Sequence, residues 1–202
     1  MNRSTTRKHP TLLTLLAAVV SATVAPMAAP GTAGAATGGQ VCLFLDKEGA
    51  PILGRTYGHV AWAIRDPKNT NHWIWGATEG GKLHIPAGQN NGSWIKGGTW
   101  DDLHKSIKPD GHHRAGYYDA YRCINTAGGD LGAAQRTFRN MKDNGYDIGF
   151  NNCLTKSIAI FRKYSPALSS KHLPDGQTLP PRNYFATTLD NASGWGKAST
   201  YR

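Results

Sequence analysis

Apolar residues fall along this chain in runs whose length and period change from one end to the other. Residues 12–24 form a nearly unbroken apolar stretch, interrupted only by Thr14, Ser21 and Thr23. Beyond it the runs shorten. Residues 41–45 (Val-Cys-Leu-Phe-Leu), 57–64 and 73–78 read as strands, because short runs rich in β-branched and aromatic residues and bounded by breakers favour extended backbone. Asp66-Pro67-Lys68-Asn69-Thr70-Asn71 lies between the last two and is made of turn formers, so that pair is predicted to close as an antiparallel hairpin. Residues 82–85 are read as an extension of the same sheet. Residues 117–124 alternate like a half-buried strand,. The period then changes. Leu131, Ala134, Phe138 and Met141 recur at helical spacing within 130–142, and Leu154, Ile158 and Phe161 do so within 153–164, which Ser165-Pro166 ends,. Short helices are expected near 100–107 and 183–189, whereas the rest of 86–116, rich in Gly, Asn and His, carries no readable period. The elements are mixed, and the fold class they predict is α+β in a single domain.

The first apolar stretch sets the expected compartment. Arg3, Arg7 and Lys8 precede it, and small residues follow it as far as Ala36, with Pro30, Gly31 and Gly34 among them. That order predicts a secretory signal peptide over 1–36, cleaved near Ala33-Gly34-Ala35-Ala36, ahead of one domain over 37–202. The stretch is shorter than the roughly 20 apolar residues of a membrane span, and no second one follows, so no transmembrane segment is expected. The predicted location is extracellular. Six Trp, eight Tyr and five Phe argue against disorder, and 24 Gly with 39% hydrophobic residues argue against a coiled coil or membrane protein,. Removing residues 1–36 takes the net charge from +10 to +7. A basic exported surface suits anionic polymers, which charge alone does not tell apart.

Three cysteines in an oxidising compartment leave one unpaired. Cys42 and Cys123 lie in strand-like runs and bridge if those strands are neighbours. Cys153 follows Phe150-Asn151-Asn152 and opens a helix-like run, where unsatisfied backbone N–H groups and the helix dipole stabilise a thiolate. His59 begins a strand in Gly58-His59-Val60-Ala61-Trp62. An imidazole beside such a thiol makes a nucleophile–base pair that attacks amides, esters and thioesters. Two residues are candidates to orient the imidazole: Glu79, just after the partner strand, and His72, just before it. Glu79 is preferred on charge, but hairpin register decides. The N–H of Cys153 and a side-chain amide of Asn151 or Asn152 are candidate oxyanion donors, with helix capping as the competing use of an asparagine. The candidate catalytic set is therefore Cys153, His59 and Glu79, with no cofactor and no metal.

The His59 strand motif and Asn151-Asn152-Cys153 before a helix together resemble the permuted branch of the NlpC/P60-like, papain-type thiol enzymes, which includes the lecithin-retinol-acyltransferase-like group. The histidine precedes the cysteine, as in that branch. The resemblance covers roughly residues 41–165. It implies a small antiparallel sheet packed on a cysteine-bearing helix, in a permuted papain-like architecture. It also implies hydrolysis or transfer at an amide or ester through an acyl-enzyme, on a peptide, cell-wall peptide or acyl substrate. The family's third polar residue would fall at Asn71, inside the turn. Three other readings compete. His104, His112 and His113 with Asp101, Asp102 and Asp110 are ligand types that suit zinc, but no His-Glu-x-x-His is present,. Asp110-Gly111-His112-His113-Arg114 has residues that a nuclease would use, yet it fits a surface loop better, and nucleic acid is not the expected partner. The non-enzymatic reading is a cell-wall or glycan-binding module on a degenerate thiol-enzyme fold, with Trp94 and Trp100 as exposed stacking residues and Trp62, Trp73 and Trp75 in the core.

Overall fold

A computed structural model of the protein describes residues 38–107 and 118–201. The elements in chain order are β1 (Gly39–Asp46), β2 (Pro51–Ile52), β3 (Arg55–Thr56), β4 (His59–Arg65), β5 (Trp73–Thr78), β6 (His84–Ile85), β7 (Ser93–Gly98), α1 (Trp100–Ile107), β8 (Ala120–Thr126), α2 (Leu131–Lys142), β9 (Tyr146–Asp147) and α3 (Cys153–Tyr164). A helical tail follows as Pro181–Asn183, a π-type turn at Tyr184–Thr188, and Leu189–Asn191, before β10 (Ser199–Thr200). Six strands form one sheet in the order β10-β8-β1-β4-β5-β7, every adjacent pair antiparallel. The class is α+β, as the pattern predicts.

The unbroken apolar run at 41–45 is explained by cover on both faces of the sheet. Successive side chains of a strand point to opposite faces. Val41, Leu43 and Leu45 join Trp62, Leu154, Ile158 and Phe161 in one buried cluster. Cys42 and Phe44 join Trp73, Trp75, Leu103 and Ile107 in the other. Helices α2 and α3 cover the first face, with α3 lying on β4 and Phe138 against Trp62 at 5.8 Å between ring centroids. Helix α1 covers the second, where Trp75 Nε1 donates to Ser106 Oγ at 2.9 Å. Cys42 and Cys123 stand opposite each other in the β1–β8 ladder and form a disulfide with Cα atoms 4.1 Å apart.

Two expectations need correction. The strand read at 57–64 begins at His59, because the Tyr57 and Gly58 N–H groups donate to Ala50 and Gly49 instead of to a ladder and Gly58 takes φ +81°. Residues 82–85 do not extend the main sheet. Gly80 and Gly81, both at positive φ, turn the chain out of it, and β6 pairs with β9 in a separate two-stranded ladder. The unreadable stretch supplies β7, an edge strand paired to β5. Its centre is exposed, which removes the alternation that marks a strand. The predicted signal peptide, together with Asp110, His112, His113 and Arg114, lies outside the described residues. Among the described residues no helix is long and apolar enough to cross a membrane.

Candidate active site

Strand pairing places the histidine and the carboxylate. In the β4–β5 hairpin Ala61 pairs with Ala77, and continuing that register two residues towards the end of the sheet sets Glu79 opposite His59. The side chains meet there, with His59 Nε2 3.0 Å from Glu79 Oε2. Nε2 makes no well-formed hydrogen bond, and the contact is an ion pair. Glu79 is held from its other oxygen, Oε1, which accepts from Trp94 Nε1 of β7 at 2.6 Å. The same register sends His72 and Asn71 to the opposite end of the hairpin, beyond the Arg65–Trp73 pair. At about 3.3 Å per residue that end lies roughly 20 Å from His59. His72 lies near Asp66, 3.9 Å from its Oδ2, and neither residue can orient the imidazole.

The third residue arrives on a helix. Cys153 is the first residue of α3. It is a buried free thiol, 3% exposed, beside a His59 that is 8% exposed. The residue before it makes this helix start. The Asn152 side-chain oxygen accepts from the N–H groups of Leu154 and Thr155, and the Thr155 hydroxyl accepts from the Asn152 N–H, forming a capping box,. Asn152 Nδ2 donates to Ile148 O at 2.7 Å, and Asn151 Nδ2 donates to Asn144 O at 3.0 Å. Each side-chain amide expected as an oxyanion donor thus commits one of its two N–H groups to a backbone carbonyl,. The Cys153 N–H makes no hydrogen bond to any described residue, so it is a free donor at the start of α3.

Charge in this cluster is tightly linked. Burial opposes a charge on His59, but the sulfur of Cys153 and then the Glu79 carboxylate outweigh it and raise the imidazole well above its ordinary value. Burial likewise pushes Glu79 up, but the adjoining His59 imidazole, with the hydrogen bond from Trp94, brings it below the usual carboxylate range. Its side chain remains 41% exposed, so solvent weakens its share of the attraction. On the other side of His59, Asp46 pairs with it in the β1–β4 register, and burial raises its carboxyl. Two tyrosines that the sequence did not flag complete the surroundings. Tyr118 is fully buried, its ring 6.1 Å from the imidazole. Tyr146 shares a cleft with Cys153. Burial and the nearby charges of Glu79 and Cys153 raise both hydroxyls, so both stay protonated donors. No sequence signal marks either, since tyrosines of this kind are ordinarily core.

The cleft has a volume of about 300 Å³, and Cys153 is among the residues that line it. Ile52, Leu83, Ile148, Leu179 and Pro180 form much of its wall. Trp94 and Trp100, read as exposed stacking residues, are both engaged: Trp94 by Glu79, and Trp100 by Trp73 and His104 at 4.5 and 4.3 Å. Among the described residues no group of three or more His, Cys, Asp or Glu is placed to hold a metal ion. No family model, curated protein or solved structure matches the chain.

Proposed function

We propose that the protein is a secreted cysteine hydrolase of permuted papain-like architecture, acting on an amide or ester through an acyl-enzyme. The observation that carries this reading is the meeting of a free thiol, a buried imidazole and a carboxylate, each delivered by a different element, at a helix start whose first N–H is uncommitted. Export is supported by the signal-like order of residues 1–36 and by the Cys42–Cys123 bridge, which belongs in an oxidising compartment.

In this reading His59 holds the proton of Cys153. Nε2 faces Glu79, so Nδ1 exchanges the proton with sulfur. The thiolate attacks the acyl carbon, and the oxygen that becomes negative accepts from the Cys153 N–H. The imidazolium gives its proton to the departing amine or alcohol as the carbon–heteroatom bond breaks, leaving a thioester on Cys153. His59 then takes a proton from water, which attacks the thioester and releases a carboxylic acid and the thiol. Glu79 stabilises the imidazolium in both halves, and Trp94 keeps Glu79 in place.

Alkylation with iodoacetamide from about pH 5 to 9, without reductant, tests the pair. The expected result is a single label on Cys153, formed rapidly below about pH 7 and lost in His59→Ala. Labelling that rises only as an ordinary thiol does, near about pH 8.5, overturns the catalytic reading and makes the glycan-binding module the reading to pursue.

A further inference from the structure

Lys156 is a charged group that the reaction does not use. It lies in α3, three residues after Cys153, and is 2% exposed. Burying an ammonium is costly unless its charge is paired or its protons find acceptors. Among the described residues no carboxylate pairs with it, and burial lowers it from the ordinary lysine range to about 8, so it is still an ammonium at neutral pH. Nζ donates to Met141 O at 3.1 Å and to Asn144 Oδ1. Met141 lies in the last turn of α2, where unpaired carbonyls and the negative end of the helix dipole attract a cation. The side chain therefore ties the start of α3 to the end of α2.

The tie runs on to the carboxylate of the site. Met141 O also accepts from Asn91 Nδ2 at 3.0 Å, and the same nitrogen donates to Gly145 O at 2.8 Å. Asn91 is wholly buried. Its Oδ1 accepts from the N–H and the hydroxyl of Ser93, the first residue of β7. Ser93 Oγ lies 2.7 Å from Thr78 Oγ1; with the Ser93 proton given to Asn91, the Thr78 hydroxyl is the donor. Thr78 is the last residue of β5, and Glu79 follows it. Backbone bonds reinforce the link, since the Glu79 N–H donates to Gly92 O and the Gly80 N–H to Asn91 O. Both amide protons and both oxygen lone pairs of the Asn91 side chain are thus used, and a buried polar network so fully satisfied holds one arrangement.

We infer that Lys156 is a positioning residue for the catalytic set. Through the end of α2, Asn91, Ser93 and Thr78 it joins the helix that carries the thiol to the strand end that carries Glu79, and so holds both in place about His59. The inference rests on the thiol-enzyme reading. Capping of α2 alone is the competing role, and it predicts a loss of stability with no effect at the thiol.

Alkylation of Cys153 by iodoacetamide and an NMR titration of His59, both on the mature chain, test it, with circular dichroism and urea unfolding to report the fold. In Lys156→Met the alkylation rate below about pH 7 is expected to fall about ten-fold, because small displacements of reacting groups cost that much or more. The His59 pKa is expected to drop, since thiol and carboxylate no longer hold its proton together. Lys156→Gln keeps a donor at shorter reach and is expected to recover part of the rate. Ser93→Ala breaks the same chain of bonds at a half-buried position. It is expected to lower the rate on its own and to add little to Lys156→Met, because a chain already cut transmits nothing to a second cut. Should Lys156→Met not fold, the pair is measured with Lys156→Gln. Urea stability that falls in the Lys156 variants while the alkylation profile and the His59 value stay leaves only the capping role and overturns the inference. Full additivity with Ser93→Ala overturns it as well. In both cases rapid low-pH labelling of the unaltered protein keeps the thiol-enzyme reading. An unaltered Cys153 that labels only as an ordinary thiol does, near about pH 8.5, overturns that reading and this inference together.

Discussion

Glu79 divides its carboxylate between two partners, and the division sets the state of His59. One oxygen faces the imidazole and the other accepts the indole N–H of Trp94. Trp94→Phe keeps an aromatic ring, smaller than the indole, and deletes that hydrogen bond. For a partly exposed carboxylate the loss is about 1 kcal/mol, so the low-pH alkylation rate of Cys153 is expected to fall about five-fold and its pH profile to move with His59. An unchanged profile would show that Trp94 only packs. The histidine gives a second prediction. Burial pushes His59 down, while Cys153 and then Glu79 raise it beyond its ordinary value. In an NMR titration its pKa should therefore drop in Glu79→Gln and drop further in Cys153→Ala. The sign for stability follows. A proton held more tightly in the folded state stabilises the fold below the unfolded histidine value, about 6.5, and that contribution is lost as pH rises through the folded value. Urea unfolding is thus expected to show stability falling above about pH 6.5, with a shallower fall in Cys153→Ala. A steeper fall in the variant contradicts this assignment.

At the level of elements, the start of α3 fixes the position of the thiol. Asn152 caps Leu154 and Thr155 through its oxygen and holds Ile148 O through its nitrogen. Asn152→Ala is expected to cost about 1 kcal/mol of unfolding free energy, measurable by chemical denaturation. Asn152→Asp keeps the capping acceptor but sets a second acceptor against Ile148 O, so it should recover only part of the loss. Full recovery would mean that the Ile148 contact contributes nothing. The helix itself was legible in the sequence, since Leu154, Ile158 and Phe161 repeat at helical spacing and Asn152 sits at the cap. Glu79 was legible as chemistry but not as position. The turn at 66–71 is too long to fix a register, and one step of slip turns every side chain to the other face. The bond from Trp94 to Glu79 was not legible, because β7 is an exposed edge whose Gly97-Gly98 end and solvent-facing centre erase the two-residue alternation. The backbone partners of the Asn151 and Asn152 amides were not legible for a different reason. An asparagine at a helix start has several backbone partners nearby, and local hydrogen bonds claim it first.

Across the whole molecule, the sheet separates its covalent tie from its thiol. Cys42 belongs to the buried cluster on the α1 face, while Cys153 belongs to the cluster on the α3 face. The pairing was readable from three cysteines of which two sit in strands, but the adjacency of β1 and β8 was not, because the strands that touch are far apart in the chain. The bridge joins residues 81 positions apart, a long loop whose closure removes much of the freedom of the unfolded chain. In the chain-entropy account this is worth about 4 kcal/mol. The strands also pair through backbone hydrogen bonds from Gly39 to Leu45, so the ladder has its own support when the bridge is gone. Cys42→Ala/Cys123→Ala is therefore expected to fold, to unfold at markedly lower urea with a loss of that order, and to keep the pH profile of Cys153 alkylation below its transition. Loss of the low-pH labelling in a variant that circular dichroism shows to be folded would mean that the two faces are coupled through the sheet. The bridge would then position the thiol as well as stabilise the fold.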